Sequence, residues 1–277
     1  MAKDKLRLDQ LLVEHGYFST REKAKRSVMA GQIFVDSHKV DKPGKKVSVE
    51  SQLAVKNDQV KYVSRGGFKL EKALGYFDIS VNNRVVIDIG ASTGGFTDCL
   101  LKNGASHVHA VDVGYGQLAW KLRSDKRVTV FEKTNIRFVS SNLFLPKPDL
   151  ATIDVSFISL ELVIPKIMEV TTYPHEAIIL IKPQFEAAKE QVGKKGVVRE
   201  LSVHINVLQR ILLDIIVKLE LSVNGLTYSP VTGPQGNIEY LVHVSKYNPS
   251  SKTSQLVNST INHVVNEAYE HFKGGYI

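Results

Sequence analysis

Residues 85–101, Val-Val-Ile-Asp-Ile-Gly-Ala-Ser-Thr-Gly-Gly-Phe-Thr-Asp-Cys-Leu-Leu, constrain the fold more than any other stretch of the chain. An apolar run, Val85-Val86-Ile87, leads into Asp88. A glycine-rich turn follows from Gly90 to Gly95, and a helical pattern starts at Phe96 and carries Leu100 and Leu101. The order is strand, tight loop, helix, the opening unit of a nucleotide-type site. Glycine serves such a turn because the backbone bends sharply and a ligand can approach without a Cβ in the way. A second apolar run, His107 to Val111, ends in another acid, Asp112, placed to accept hydrogen bonds from ribose hydroxyls.

Downstream the pattern alternates. Candidate strands cover 84–89, 107–112, 127–131, 149–154 and 177–182, with helices over 70–77, 94–104, 116–124 and 159–169. This predicts an α/β fold with a mostly parallel sheet covered on both faces. A charged glycine loop, Glu186 to Arg199, precedes a long helix over 200–219 whose apolar positions include Ile205, Leu208, Ile211, Leu212, Ile215, Ile216 and Leu219. Strands over 222–229 and 238–245 flank Gly233-Pro234-Gln235-Gly236-Asn237 and are expected to pair antiparallel.

Residues 1–60 read as a separate small α+β module. Leu6, Leu8, Leu11 and Leu12 predict a short helix broken near Gly16. Ser19 or Thr20 caps a second helix that ends at Gly31. Ile33-Phe34-Val35 is a strand, Asp36 to Lys39 a turn, Lys42 to Lys46 a basic loop, and Val47 and Val49 mark another strand. A linker is expected over 61–64, a main domain over 65–247, and a polar segment with a terminal helix at about 257–272 within 248–277.

The 277 residues carry a formal charge of +8, compatible with a nucleic-acid partner. No apolar run approaches the ~18 residues of a membrane span, and the first residues lack the apolar core of a signal peptide. The single cysteine, Cys99, has no partner for a disulfide or a metal site, so a reducing cytoplasm is the expected setting and no metal or membrane partner is expected.

The loop's details select its ligand. The dinucleotide fingerprint Gly-x-Gly-x-x-Gly is not met, because Ser92 stands where the second glycine belongs. Asp88, just before the turn, would repel a pyrophosphate but suits an ammonium or sulfonium charge. Asp-x-Gly-x-x-x-Gly-Gly with a strand-end acid is similar to the pattern of S-adenosylmethionine (SAM) sites. Asp88, Gly90, Ser92, Gly94, Gly95, Phe96 and Thr97 are then the candidates for the methionine end, Asp112 for the ribose, and Asn135 for the adenine edge. Gly90-Ala91-Ser92-Thr93-Gly94 also fits the Gly-x-Ser-x-Gly elbow of serine hydrolases, with Ser92 as nucleophile and Asp154 as a possible partner. That alternative needs a histidine, and His175, His204 and His243 lie beside no glycine-rich loop.

Two resemblances follow. Arg7-Leu8-Asp9-x-x-Leu-Leu, Ser19-x-Arg21-x-x-Ala24 and Ala30-Gly31-x-Ile33-x-Val35 resemble the αL RNA-binding module known from a ribosomal protein. It implies that Arg7, Arg21, Lys25, Arg26 and Lys46 face RNA, to which they would bring salt-sensitive phosphate contacts. Ser64-Arg65-Gly66-Gly67-x-Lys69-Leu70, the glycine loop, Asp154-Val155-Ser156-Phe157-Ile158-Ser159, Lys182-Pro183-Gln184-Phe185-Glu186 and Gly193-x-x-Gly196-Val197-Val198-Arg199 are similar to the blocks of the TlyA-type ribosomal RNA methyltransferases, historically also called hemolysins.

The second resemblance implies a Rossmann-like SAM methyltransferase core, a seven-stranded, mostly parallel sheet with an antiparallel edge. It also implies SAM as cofactor and ribosomal RNA or ribosomal subunits as partner, with Arg65 a further RNA contact. Lys69, Asp154, Lys182 and Glu239 match the catalytic tetrad of 2′-O-ribose methyltransferases. Lys182 would be central, Asp154 and Glu239 would orient it, and Lys69 would steer the hydroxyl. Against this stand a non-catalytic RNA-binding assembly factor and a membrane-active hemolysin.

Overall fold

The computed structural model describes residues 5–29, 31–55, 61–246 and 254–273. The chain divides into two compact units, Met1–Lys61 and Tyr62–Ile277.

In the first unit, strand β1 (Lys5–Arg7) leads into α1 (Leu8–Glu14) and α2 (Arg21–Met29). Then come β2 (Ile33–Val35), β3 (His38–Lys39), β4 (Lys46–Ser48) and β5 (Leu53–Val55). Strands β3, β2 and β5 form one antiparallel sheet, and β1 pairs with β4. Leu8, Leu11 and Leu12 of α1 pack with Ala24 and Val28 of α2 over Ile33, Val35, Val40 and Val47. Thr20 does cap the second helix, accepting from the Lys23 N–H. Leu6 is not helical as expected. It pairs with Val47 across β1 and β4, because Leu8 and Asp9 already donate their N–H groups to Lys45 and Pro43 and helix winding begins only there.

The second unit opens with α3 (Gly66–Tyr76), followed by β6 (Val85–Ile89), α4 (Gly95–Lys102), β7 (His107–Val111), α5 (Trp120–Arg123), β8 (Val128–Phe131), β9 (Leu150–Ile153), α6 (Pro165–Val170), β10 (Glu176–Ile181) and α7 (Pro183–Glu186). It closes with α8 (Leu201–Gln209), β11 (Ser222–Tyr228), β12 (Tyr240–Ser245) and α9 (Ser254–Lys273). Seven strands form one sheet in the order β11-β12-β10-β9-β6-β7-β8. All neighbours are parallel except the β10–β12 and β11–β12 pairs.

Alternation along β10 shows how both faces are filled. Ala177, Ile179 and Ile181 join a core with α6, α8 and α9, whereas Ile178 and Leu180 join the opposite core with α3 and α4. Strand β6 lies between β7 and β9, where the strand order reverses, and the crevice of such a sheet opens at that switch point.

Three elements depart from the sequence pattern. The expected helix over 159–169 splits into a 3₁₀ turn at Leu160–Leu162 and α6, whose first residue is Pro165, a helix-starting position for a residue without an N–H. The helix expected over 200–219 changes winding: α8 passes into a π segment, Arg210–Ile216, that keeps Ile211, Leu212, Ile215 and Ile216 buried. Helix α9 starts earlier than expected and packs Val257, Ile261, Val264 and Val265 into the core; the polar segment before it lies outside the described residues.

Residues 62 and 63, expected as linker, are built into the second unit. Tyr62 is 1% exposed and packs edge-on against Phe68, and the Val63 N–H donates to Asp98. Gly67 makes this possible, since a Cβ there would lie 2.1 Å from Tyr62 Cγ. Gly67→Ala should therefore destabilise the protein by about 1–3 kcal/mol through overpacking; chemical denaturation of the variant beside the parent measures this, and equal midpoints would refute it.

Candidate functional site

At the exit of β6 the chain turns through Gly90, at φ +89°, where a Cβ would lie 2.4 Å from the Asp154 carbonyl oxygen. Only glycine permits the loops after β6 and β9 to approach so closely. The Gly90 and Ala91 N–H groups donate to Val111 O at 2.8 and 3.1 Å, which fixes the loop on the end of β7. Asp112, one residue beyond β7, accepts from the Ser92 N–H (2.8 Å, Oδ2) and the Gly114 N–H (2.6 Å, Oδ1). One lone pair on each oxygen remains for a ligand.

Two cavities adjoin here. The larger, 520 Å³, is lined by Gly90, Ser92, Asp112, Gln117, Asn135 and the Val155–Ile158 stretch. The smaller, 250 Å³, is lined by Arg65, Lys69, Gly95, Phe96, Lys182 and Gly233. Gly90, Ser92, Asp154 and Ser156 border both. The larger volume is that of a typical small-molecule site, roughly 300–1,000 Å³.

The four tetrad candidates converge as two ion pairs. Lys69, in the first turn of α3 rather than at its start, donates to Glu239 Oε2 at 2.5 Å, and both side chains are nearly buried. The Gln184 amide donates to Glu239 Oε1 at 3.1 Å. Lys182, the cap residue of α7, lies 2.6 Å from Asp154 Oδ1 in an ionic contact without hydrogen-bond alignment, and donates to Ser156 Oγ at 2.9 Å. The expected orientation of Lys182 by Glu239 is not seen: the Glu239 carboxylate is taken by Lys69 and Gln184, while Asp154 and Ser156 hold Lys182.

Asp88 corrects another expectation. It is fully buried and lines neither cavity. Its side chain leaves the face of β6 opposite to Ile87 and Ile89 and accepts from Thr97 Oγ1 (2.6 Å) and Thr152 Oγ1 (3.0 Å). Thr97 and Gly94 likewise lie behind the loop, Thr97 on Asp88 and Gly94 against Leu118 and Leu122. Burial pushes the Asp88 carboxyl up to about 7, against the pull of its two threonine hydrogen bonds. Asn135 lines the larger cavity, and its oxygen accepts from the Arg137 N–H.

The hydrolase alternative finds no support. Ser92 Oγ donates to Gln117 at 3.2 Å, His204 is held by Val198 and Tyr240, His243 by Glu176, and His175 by Thr171.

The cations of the first unit fall into two groups. Arg7 and Arg21 both bind Asp9, which is 0% exposed. Burial alone would raise the Asp9 carboxyl, but hydrogen bonds from Arg7 and Arg21 outweigh it and hold it below the usual carboxylate range. Lys25 pairs with the exposed Glu22 at 2.7 Å, while Arg26 and Lys46 are exposed. In the second unit Arg65 is exposed at the smaller cavity.

Ser156, Gln184 and Gln117 are site residues that the sequence pattern does not single out. Ser156 carries a signal all the same: it lies two residues after Asp154 on a strand exit, where both side chains can turn to one side. Gln184 and Gln117 carry none, since their contacts join distant segments.

Comparison with known proteins gives a consistent picture. A family model described as FtsJ-like methyltransferase matches residues 62–246, and one described as S4 domain matches residues 6–53. The chain is 48% identical over 274 residues to YqxC of Bacillus subtilis, provisionally named an rRNA methyltransferase, covering 99% of this chain and 97% of that one. It is 38% identical to the 16S/23S rRNA (cytidine-2′-O)-methyltransferase TlyA of Mycobacterium tuberculosis, covering 94% and 97%. A solved structure from Streptococcus thermophilus, provisionally named a hemolysin, superimposes with TM-score 0.76 at 45% identity, covering 99% of each chain.

The Asp88 carboxyl yields a pH prediction. An unperturbed aspartate titrates near 3.8, so the folded protein holds this proton more tightly than the unfolded chain. The stability it confers is complete below that value and is lost as pH rises toward 7. Asp88→Asn copies the donor and acceptor of the protonated acid. Its Tm, relative to the parent, should climb between about pH 4 and pH 8; parallel Tm–pH curves would contradict the assignment.

Proposed function

The chain belongs to the FtsJ-like methyltransferase family, in the TlyA-type arrangement of an S4 domain followed by the methyltransferase domain, and on that premise we propose that it methylates ribose 2′-hydroxyls of ribosomal RNA with SAM as donor. The observation that carries this reading is the pair of lysine–carboxylate contacts, Lys69–Glu239 and Lys182–Asp154, on the smaller of two adjoining cavities.

The residues present suit SAM. Gly90 lets the loop lie directly against the Asp154 backbone beside the cavities, Asp112 keeps lone pairs for ribose hydroxyls, and Asn135 lines the larger cavity. Ser92 borders both cavities and Gly95 and Phe96 the smaller one, while Asp88, Gly94 and Thr97 act one layer back by shaping the loop. Bound SAM supplies an already electrophilic methyl group. The protein's task is then to hold the hydroxyl in line and remove its proton.

Lys182 is placed for that task. Its Nζ has three N–H donors, of which one serves Ser156 and another faces Asp154, leaving the third for the ribose oxygen. In the proposed sequence one ammonium proton moves to Asp154, the neutral amine takes the proton of the 2′-hydroxyl as that oxygen would bond the methyl carbon and the methyl–sulfur bond would break with its electron pair left on a neutral thioether, and Asp154 later releases its proton to solvent. Lys69, fixed by Glu239, steers the ribose and offsets charge developing on its oxygen. Phe157, 90% exposed, packs on Phe185 with ring centroids 4.7 Å apart, an aromatic surface suited to a base taken out of its stack.

In the S4 domain, Arg26 and Lys46 are the exposed candidates for phosphate contacts, and Lys25, Arg7 and Arg21 present whatever face their carboxylate partners leave open. Arg65 would add a cation beside the smaller cavity.

The decisive experiment incubates protein, labelled SAM and ribosomal subunits lacking the modification, then maps the label. Methyl on a ribose 2′-oxygen is expected. Lys182→Ala should lower turnover by at least about 100-fold, the scale of general acid–base catalysis, with SAM affinity nearly unchanged; normal turnover by this variant would sink the assignment. Exchanging both Arg26 and Lys46 for alanine should weaken rRNA binding and flatten its log–log salt dependence by about one unit for each phosphate no longer neutralised. An unchanged slope in filter binding would place the RNA-binding cations elsewhere.

A further inference from the structure

The two catalytic segments leave neighbouring strands by short, irregular turns. Asp154 to Leu160 follows β9 and passes through Phe157 at φ +61°. Lys182 to Glu186 follows β10 as a single helical turn begun by Pro183. At the cavity they meet through Lys182, Asp154 and Ser156. They touch again through the Phe157 and Phe185 rings, and both start from paired strands.

A further junction lies behind the first. Glu186, whose side chain is 2% exposed, accepts from the Leu160 N–H at Oε1 (2.7 Å) and from the Ser159 hydroxyl at Oε2 (3.0 Å). Arg210 Nη2 then donates to Glu186 Oε2 at 2.6 Å and to the Glu186 carbonyl at 3.0 Å. Arg210 is the first residue of the π segment that follows α8. Such segments often mark functional positions, because a change of winding redirects side chains. One buried carboxylate is thus bolted to the β9 loop, while an arginine from a third element grips both its charge and its backbone.

We propose that Glu186 and Arg210 are positioning residues that lock the Lys182 turn onto the Asp154–Ser159 loop and so set the Lys182–Asp154 contact. This rests on the reading of Lys182 as the group that handles the ribose proton. Neither residue lines the two cavities, so their effect reaches the reaction only through Lys182 and Asp154. Asp112 and the glycine loop are held by contacts of their own, so SAM affinity changes far less than kcat even though Val155–Ile158 of the locked loop form one wall of the larger cavity.

Two charge-balanced double variants separate positioning from stability. Glu186→Leu with Arg210→Met removes the charge pair and both bolts to Ser159 and Leu160. Glu186→Gln with Arg210→Met removes the charge pair but keeps an acceptor for the Leu160 N–H and a partner for the Ser159 hydroxyl. Each avoids leaving a buried charge unpaired. Methyl transfer to rRNA and SAM binding by calorimetry are measured for both.

The leucine variant should lose about 100-fold in kcat, the penalty for a displacement of about 1 Å, with SAM Kd within about threefold of the parent. The glutamine variant should recover most of that loss. Equal kcat for the two, or a loss of SAM affinity that tracks kcat, would overturn the proposal. Should the leucine variant fail to fold, Ser159→Ala deletes one bolt, and an unchanged kcat there overturns it equally. Failure of the parent protein to methylate rRNA would count against the function itself, not against this pair.

Discussion

The site depends on a carboxyl that never reaches it. Asp88, in the interior strand at which the sheet order reverses, joins Thr97 of α4 and Thr152 of β9. Those two contacts tie the helix after the glycine loop, and the strand that delivers Asp154, to the strand between them. With Gly90 pressed on the Asp154 carbonyl, the glycine loop and the Asp154 segment are held in direct contact. A free charge at such depth would be costly. Burial answers by favouring the protonated acid, while the two threonine hydroxyls that donate to it pull the other way.

The reactive groups solve the opposite problem. Two lysines and two carboxylates are needed at a cavity wall, and each would be expensive to desolvate alone. They are delivered as two neutralised pairs, with Ser156 and Gln184 each adding one hydrogen bond. The pairing divides the work. Lys69–Glu239 is the more deeply buried and is fixed by α3 and the residue before β12, whereas Lys182–Asp154 borders the junction of the cavities.

Much of this was legible along the chain. The strand ends that carry Asp112, Asp154 and Lys182 follow from apolar runs ending in a charge, and the antiparallel edge from the turn-rich Gly233–Asn237 segment. What escaped was non-local. That Lys69 meets Glu239 rather than Lys182 requires two segments 170 residues apart. Asp88 has the right spacing for a ligand contact, yet the strand's own alternation turns it inward, a consequence visible only once Ile87 and Ile89 are assigned to the opposite face. Leu6 reads as helix by its apolar neighbours and becomes strand because Val47 offers a pairing partner. Tyr62 looks like linker until Gly67 is seen to leave space for it.

The same distinction between a charge that shapes and a charge that acts applies in the S4 domain. Arg7 and Arg21 match the expected RNA-facing pattern, but both are drawn onto the buried Asp9, which they keep ionised. Removing either would leave that carboxylate undersatisfied, so a loss of RNA affinity in such a variant would mix folding with binding. Each arginine still exposes about half of its side chain, at 47% and 51%, and can therefore serve both ends at once. A guanidinium with five N–H groups can hold a carboxylate on one edge and present another edge to phosphate, which a lysine in the same place could not do in a fixed plane. Asp9 therefore fixes the direction in which those edges point, and the pattern Arg7-x-Asp9 with Arg21 is a structural feature first.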